Sequence, residues 1–323
     1  MVFLQSIQSV ISIILMIALG YFLKKFKWFD DNFGKSISSL ITKVALPASI
    51  FISVLKYLTR GSLIQLSGSL IYPVSAVIVS YLISFALVKL LKIRPGRRGI
   101  FMNAVVNANT IFIGLPLNIA LFGNQSLPYF LIYYITNTVS TWAFGVFLIS
   151  NDDPTKIRSK EKKKNQMNWK KILPPPLLGF IAGLIFLILN IPIPSFIGST
   201  LTYVGSIVTP LSLVYIGIVL NDAGLSSIRF DRDTIFALIG RFVISPLVLI
   251  VLLLTGVHLM GTHLPSMLTQ TQIVQSATPM LAVLPILANE AHGDVKYATN
   301  VVTTSTILFV IVVPILMQVI QFI

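Results

Sequence analysis

Apolar runs of about 20 residues, the length a helix needs to cross a bilayer, recur along the whole sequence. They fall near 4–24, 34–56, 64–90, 98–121, 127–149, 174–191, 196–220, 234–257, 264–289 and 296–321. In lipid, backbone polar groups must be paired within the chain, which favours helices. The expectation is therefore an all-α membrane protein with ten transmembrane helices. Composition agrees: 55% of residues are hydrophobic and 11% charged, and the mean hydropathy is +0.88. A soluble globular domain does not look like this. The sequence has no cysteine, which excludes a disulfide framework, a thiolate metal site and a thiol nucleophile.

The basic residues set the orientation. Of 24 Lys and Arg residues, 20 fall in the loops after odd-numbered runs, and only Lys56 and Arg60 in the loops after even-numbered ones. By the positive-inside rule the odd loops are cytoplasmic and both termini lie outside a cell membrane crossed many times. The net charge of +14 is thus topological, and no nucleic-acid partner is expected. No basic residue precedes the first run, whereas Lys24, Lys25 and Lys27 follow it, which is the reverse of a secretory signal. The hydrophilic stretch Asn151–Lys171 reads as a basic cytoplasmic linker, either solvated or drawn to anionic headgroups of the bilayer.

That linker, residues 151–173, separates two five-span halves, 1–150 and 174–323, and the halves match. Pro47 and Pro210, Pro116 and Pro279, and Asn137 and Asn300 each differ by 163 positions. At the same offset Ser49 meets Ser212, Asn107 meets Gln270 and Asn109 meets Gln272. Five is odd, so the second half inserts upside down relative to the first. Two inverted repeats are the architecture of secondary transporters.

The fourth run contains Asn103–Asn118, NAVVNANTIFIGLPLN, with four asparagines and a Gly114-Leu115-Pro116 step. Proline lacks an N–H and its ring clashes with the preceding turn, so a break or kink is expected there. The ninth run offers Gln270, Gln272, Gln275, Ser276 and Thr278 ahead of Pro279, with a second proline at Pro285. Inverted symmetry would bring the two broken helices, four and nine, to cross near the midplane. Their second halves, starting near Leu117 and Met280, would aim partial positive charge at the centre. Asn107, Asn109, Gln272, Gln275, Thr278, Asn137 and Asn300 are then candidates to bind a small organic anion, beside the broken backbone at Gly114, Pro116 and Pro279. The competing reading is a proline kink with amides joining helices.

Two cations lie inside spans, Lys43 and Arg241, each costing roughly 2.5–3.5 kcal/mol on insertion scales. Counter-ion for the substrate and snorkelling to the cytoplasmic face both remain open for them. Glu290 and Asp222 end spans. Arg241 and Glu290 are the candidates for coupling to protons or sodium. His258, His263 and His292 lack metal-ligand spacing, and no cofactor is expected. Walker, G-x-S-x-G and H-E-x-x-H motifs are all missing, so neither an enzyme nor an ATP-driven pump is expected.

N-x-N-T-x-x-x-G-L-P-L (107–117) followed by L-F-G (121–123) resembles the fourth-span signature of the auxin efflux carrier family. L-P-A-S-I-F (46–51) and T-P-L-S-L-V-Y-I-G (209–217) are similar to its second- and seventh-span motifs. A-N-E-A-H-G-D (288–294) resembles the segment after its ninth span, with Ala291 and His292 departing from the usual residues. The resemblance covers nearly the whole chain. It implies ten spans with crossed fourth and ninth helices, and a scaffold of spans one, two, six and seven beside a moving transport domain. It implies a homodimer and alternating access of the elevator kind. The family asparagine falls on Asn109 and the crossover prolines on Pro116 and Pro279. The short linker resembles bacterial-type carriers of malate or malonate, not carriers of auxin. A sodium-coupled carrier of a bulkier or neutral solute and a non-transporting sensor are the alternatives.

Overall fold

The computed structural model describes residues 2–155, 175–224, 228–260 and 264–320. Among these residues the regular structure is helical, with one isolated antiparallel bridge between Ala108 and Met280. In chain order the first helices are α1 (Val2–Lys25), α2 (Phe33–Leu40), α3 (Leu46–Tyr57), α4 (Arg60–Ser69) and α5 (Ile71–Leu90). Then come α6 (Arg98–Val106), α7 (Leu115–Phe122), α8 (Leu127–Val139) and α9 (Val146–Asn151). The second half holds α10 (Pro175–Leu189), α11 (Ser195–Ser206), α12 (Val208–Ala223) and α13 (Arg232–Ile239). It ends with α14 (Ser245–Met260), α15 (Ser266–Ser276), α16 (Leu284–Glu290) and α17 (Val295–Ile320).

Five stretches are long and apolar enough to cross a membrane: Phe33–Tyr57, Leu66–Leu90, Asn124–Asn151, Ser195–Asp222 and Arg232–Val257. They rise to six if Val295–Phe309 and Ile311–Ile320, bent by 58°, count as one. These five begin and end within about three residues of runs two, three, five, seven and eight. The linker beyond residue 155 lies outside the described residues.

Three prolines do not break their helices. Each follows a five-residue π turn: Ile41–Ala45 before Leu46-Pro47, Thr110–Gly114 before Leu115-Pro116, and Gly240–Ile244 before Ser245-Pro246. The amides of Leu46 and Ser245 bond five residues back, to Ile41 and Gly240. Widening the turn moves aside the carbonyl that the proline ring would strike. The break expected at Gly114–Pro116 is therefore absent. The chain leaves the helix earlier, at Asn107, whose backbone is extended (φ −97°, ψ 130°).

The chain forms two compact units. The first comprises Met1–Leu70, Ile111–Ile132 and Leu173–Gly224, and the second Ile71–Thr110, Tyr133–Ile172 and Leu225–Ile323. Each draws on both sides of the linker. Packing does not address the division of the sequence at that linker, which rests on repeat symmetry.

In the first unit, helices meet through glycine, as expected where lipid removes the hydrophobic drive and close van der Waals approach must hold helices together. A Cβ placed on Gly217 of α12 would lie 2.1 Å from the Ile17 carbonyl oxygen of α1, and one on Gly20 would lie 2.2 Å from that of Val214. In the second unit α6 is the axis, with every residue from Gly99 to Val106 buried. Ile100, Phe101 and Val105 share its core with Leu284, Ala298 and Val301. A helix apolar on all sides belongs inside a bundle, and Asn103 is tolerated there because both its amide hydrogens are used. They go to the carbonyls of Gly99 (2.9 Å) and Gly145 (3.0 Å).

Candidate functional site

Within the second unit two interrupted helices meet. The first interruption spans Asn107–Asn109, between α6 and the turn starting at Thr110. The second lies between α15 and α16, residues 277–283, and contains Pro279. Their backbones pair directly: the Asn109 amide donates to the Pro279 carbonyl at 2.8 Å, beside the Ala108–Met280 bridge. Unwound backbone inside a membrane must find partners in protein, and here the partners are specific. The Ala108 amide donates to Asn137 Oδ1 (2.8 Å), and Asn137 Nδ2 donates to the Ala108 carbonyl (3.0 Å). The Met280 amide donates to Ser305 Oγ at 3.2 Å.

The carbonyls at the ends of α6 and α15 converge on one cation. Arg241 is fully buried and donates to Val105 O (3.1 Å), Val106 O (2.9 Å) and Ser276 O. It does not snorkel.

Asn107 belongs to a polar ladder. Its Nδ2 donates to Asn103 Oδ1 (2.7 Å) and Tyr81 Oη (2.9 Å), and its Oδ1 accepts from Ser140 Oγ (2.6 Å). Both its amide hydrogens are committed. Asn109 is 6% exposed, and Gln272, Gln275 and Thr278 are buried on or just after α15. Thr278 Oγ1 turns back to the Gln275 carbonyl at 2.8 Å.

The remaining predicted residues lie elsewhere. Asn300 repeats the clamp of Asn137 on a different peptide, that of Arg229, accepting from its amide (2.8 Å) and donating to its carbonyl (2.7 Å). Gly114 and Pro116 belong to the first unit, as does Lys43, which is exposed on its π turn. Glu290 is exposed at the end of α16. The second-half helix of the fourth run starts at the turn from Thr110, and that of the ninth at Leu284, not at Leu117 and Met280. A separate cavity of about 330 Å³ in the first unit, lined by Ser49, Ser53, Lys56, Asn124 and Thr209 among others, contains none of the predicted residues.

Residues 5–317 match the family model described as membrane transport protein. The chain belongs to the membrane transport protein family. This is the auxin efflux carrier family that its motifs resemble. An uncharacterized transporter of Methanothermobacter thermautotrophicus is 25% identical, covering 97% of this chain and 98% of its own. Uncharacterized transporter MJ1031 of Methanocaldococcus jannaschii is 23% identical, covering 73% of this chain and 75% of its own. The protein is a multi-pass membrane transporter and not an enzyme.

Sequence reasoning missed the supporting cast of this family member's crossing: Tyr81, Asn103, Ser140 and Ser305. Asn103 and Asn107, four apart on one helical face, were the available signal. The clamp on Ala108 makes a prediction. Asn137→Ala leaves an amide and a carbonyl unpaired in a buried site, and the transporter should lose about 2 kcal/mol of stability. Chemical denaturation in detergent measures this. Asn137→Asp, which keeps the acceptor and loses the donor, should perform no better than halfway.

Proposed function

We propose that this transporter is a secondary carrier of a small organic anion, a mono- or dicarboxylate such as malate or malonate, working by alternating access. The observation that carries the reading is the pairing of two unwound segments at Asn109–Pro279, lined by amide side chains and adjoining one buried cation. Such a crossing offers neutral N–H donors and a positive environment, which suits carboxylate oxygens and needs no lysine at the site. Asn109, Gln272, Gln275 and Thr278 contact the substrate. Asn137 holds the backbone of the crossing at Ala108, Asn107 braces it through side chains, and Asn300 clamps the separate Arg229 peptide.

Ten spans in two inverted five-span repeats remain the topology we favour, with both termini outside and the linker cytoplasmic. The matched prolines and asparagines and the paired interruptions support it. The first unit gathers spans one, two, six and seven, the set expected for a scaffold, together with Ile111–Ile132, and this favours an elevator cycle in which the paired segments 107–109 and 277–283 move with the second unit. The scaffold would also carry a homodimer contact. A free dianion is driven out of a negative interior by roughly 2.3 kcal/mol per charge per 100 mV, so uptake requires a proton or sodium ion.

Flux of labelled malate and malonate into proteoliposomes tests the reading. Wild-type protein should carry at least one of them, and Asn109→Ala should cut the flux at least tenfold. Undiminished flux in the variant removes Asn109 from the site, and no flux of either acid by the wild type removes the substrate class. Thermal shifts with these acids, with and without sodium at two pH values, identify the coupling ion.

A further inference from the structure

The Arg241 side chain joins the ends of both interrupted helices. Val105 and Val106 close α6 and Ser276 closes α15. The last carbonyls of any helix lack intrahelical partners and carry the negative end of its dipole. Two such ends brought together repel each other and leave several acceptors unmet. One planar guanidinium answers both needs, because its fixed fork spreads donors over three carbonyls. A lysine ammonium is a single compact charge and cannot span the same set.

The arrangement carries a cost. Arg241 is 0% exposed, and its Nε–H has no acceptor among the described residues. A residue kept despite a buried unpaired donor is held for its geometry. The side chain also arises from the π turn Gly240–Ile244, beside Gly240, whose missing Cβ would meet Val105 Cγ2 at 2.5 Å. The turn and the glycine together bring the root of Arg241 against the end of α6.

We propose that Arg241 is the positioning residue of the crossing. By capping α6 and α15 together, it fixes the separation of segments 107–109 and 277–283, and so the place of Asn109. It is neither a substrate counter-ion nor a coupling charge. What it positions Asn109 for rests on the carrier reading; the positioning itself does not.

The cysteine-free sequence supplies the test. Ala108→Cys with Met280→Cys places thiols on the bridged pair, and Asp153→Cys with His292→Cys places a control pair where two side chains lie 3.3 Å apart. Both pairs are oxidised with iodine in native membranes carrying Arg241, Arg241→Lys or Arg241→Gln. With arginine present the crossing pair should join readily. In both variants its yield at fixed time should fall at least fivefold, while the control pair is unaffected. Malate affinity, measured without the cysteines, should fall about tenfold in the lysine variant despite its retained charge. The proposal is overturned if the parent crossing pair does not join, or if lysine matches arginine in yield or affinity. It is overturned equally if both pairs slow together, which would mean general loosening. If cross-linking depends on Arg241 but malate neither binds nor moves, the carrier reading fails and the positioning role stands.

Discussion

Gly217→Val should lower the thermal midpoint of the purified protein by roughly 5–10 °C, equivalent to about 3 kcal/mol of overpacking. The Cβ position at Gly217 is 2.1 Å from Ile17 O and 2.5 Å from Tyr21 N, both backbone atoms of α1. Backbone cannot rotate aside as a side chain does, so the helices must separate. Gly20, facing the same contact from α1, should respond the same way, because its Cβ would meet Val214 O, C and Cα, all within 2.8 Å. In lipid nothing hydrophobic pushes separated helices back together, so the lost dispersion contacts are not replaced. Gly198→Ala is the control: nothing lies within 4 Å of its Cβ position, and its midpoint should stay within about 1 °C. A Gly217→Val protein melting with the wild type would show that α1 and α12 do not pack as described.

Arg97→Ala should cost about 2–4 kcal/mol, with surface screening already discounted. Arg97 reaches Asp294 (2.8 Å), Asp231 (2.9 Å) and Asp233 (3.0 Å), and its guanidinium carbon lies 4.5 Å from the centre of the Tyr297 ring. Its side chain is only 14% exposed. Arg94 adds a second cation on Asp294. The turn that presents both arginines depends on Gly96 at φ +82°, whose carbonyl also receives the Asp294 amide at 3.0 Å. Without Arg97, the two carboxylates at the start of α13, Asp231 and Asp233, are left facing that of Asp294. Arg97→Lys should recover less than half of the loss, since one ammonium cannot serve three acceptors.

The same cluster fixes a pH dependence. Burial works against ionisation of Asp231, but hydrogen bonds from Thr234 and Arg97 outweigh it and hold the carboxyl below the usual range. Burial likewise opposes ionisation of Asp294, and the Tyr297 amide, Arg97 and Arg94 outweigh it. Folded carboxyls with lowered pKa bind fewer protons than the unfolded chain, so their stabilisation is complete above about pH 4–5 and fades as pH falls further. In Arg97→Ala the cation they share is gone, though Thr234, the Tyr297 amide and Arg94 remain, and they protonate earlier. The stability gap between wild type and variant should therefore narrow from pH 7 toward pH 4. A gap independent of pH would mean that Arg97 acts by packing alone.

Much of the fold was legible because lipid leaves few choices. Run length alone placed the continuous helices, and the polar run NAVVNANT marked the crossing. The break itself was misplaced. Pro116 was the obvious culprit, yet a π turn accommodates it, and the interruption falls at Asn107–Asn109 where no residue forbids helix. What unwinds those residues is long-range: the Asn137 clamp, the Pro279 carbonyl and the Arg241 cap. Local sequence cannot reveal partners 29 to 170 positions away. The same limit explains why Arg241 read as a choice between counter-ion and snorkelling, when its acceptors are backbone carbonyls that every sequence possesses. Asn300 was matched to Asn137 by symmetry and does perform the same clamp, but on the Arg229 peptide.

The swollen turns also make these helices intolerant of length change. A π turn is an α turn with one residue added, so deleting one residue from Ile41–Ala45 would close it to α geometry and drive the Pro47 ring into the carbonyl one turn back. The inward row of Leu46, Ile50 and Val54 on α3 begins at that ring, so the helix would have to kink where its buried face starts. Substitutions in such a segment are negotiable. Its count of residues is not.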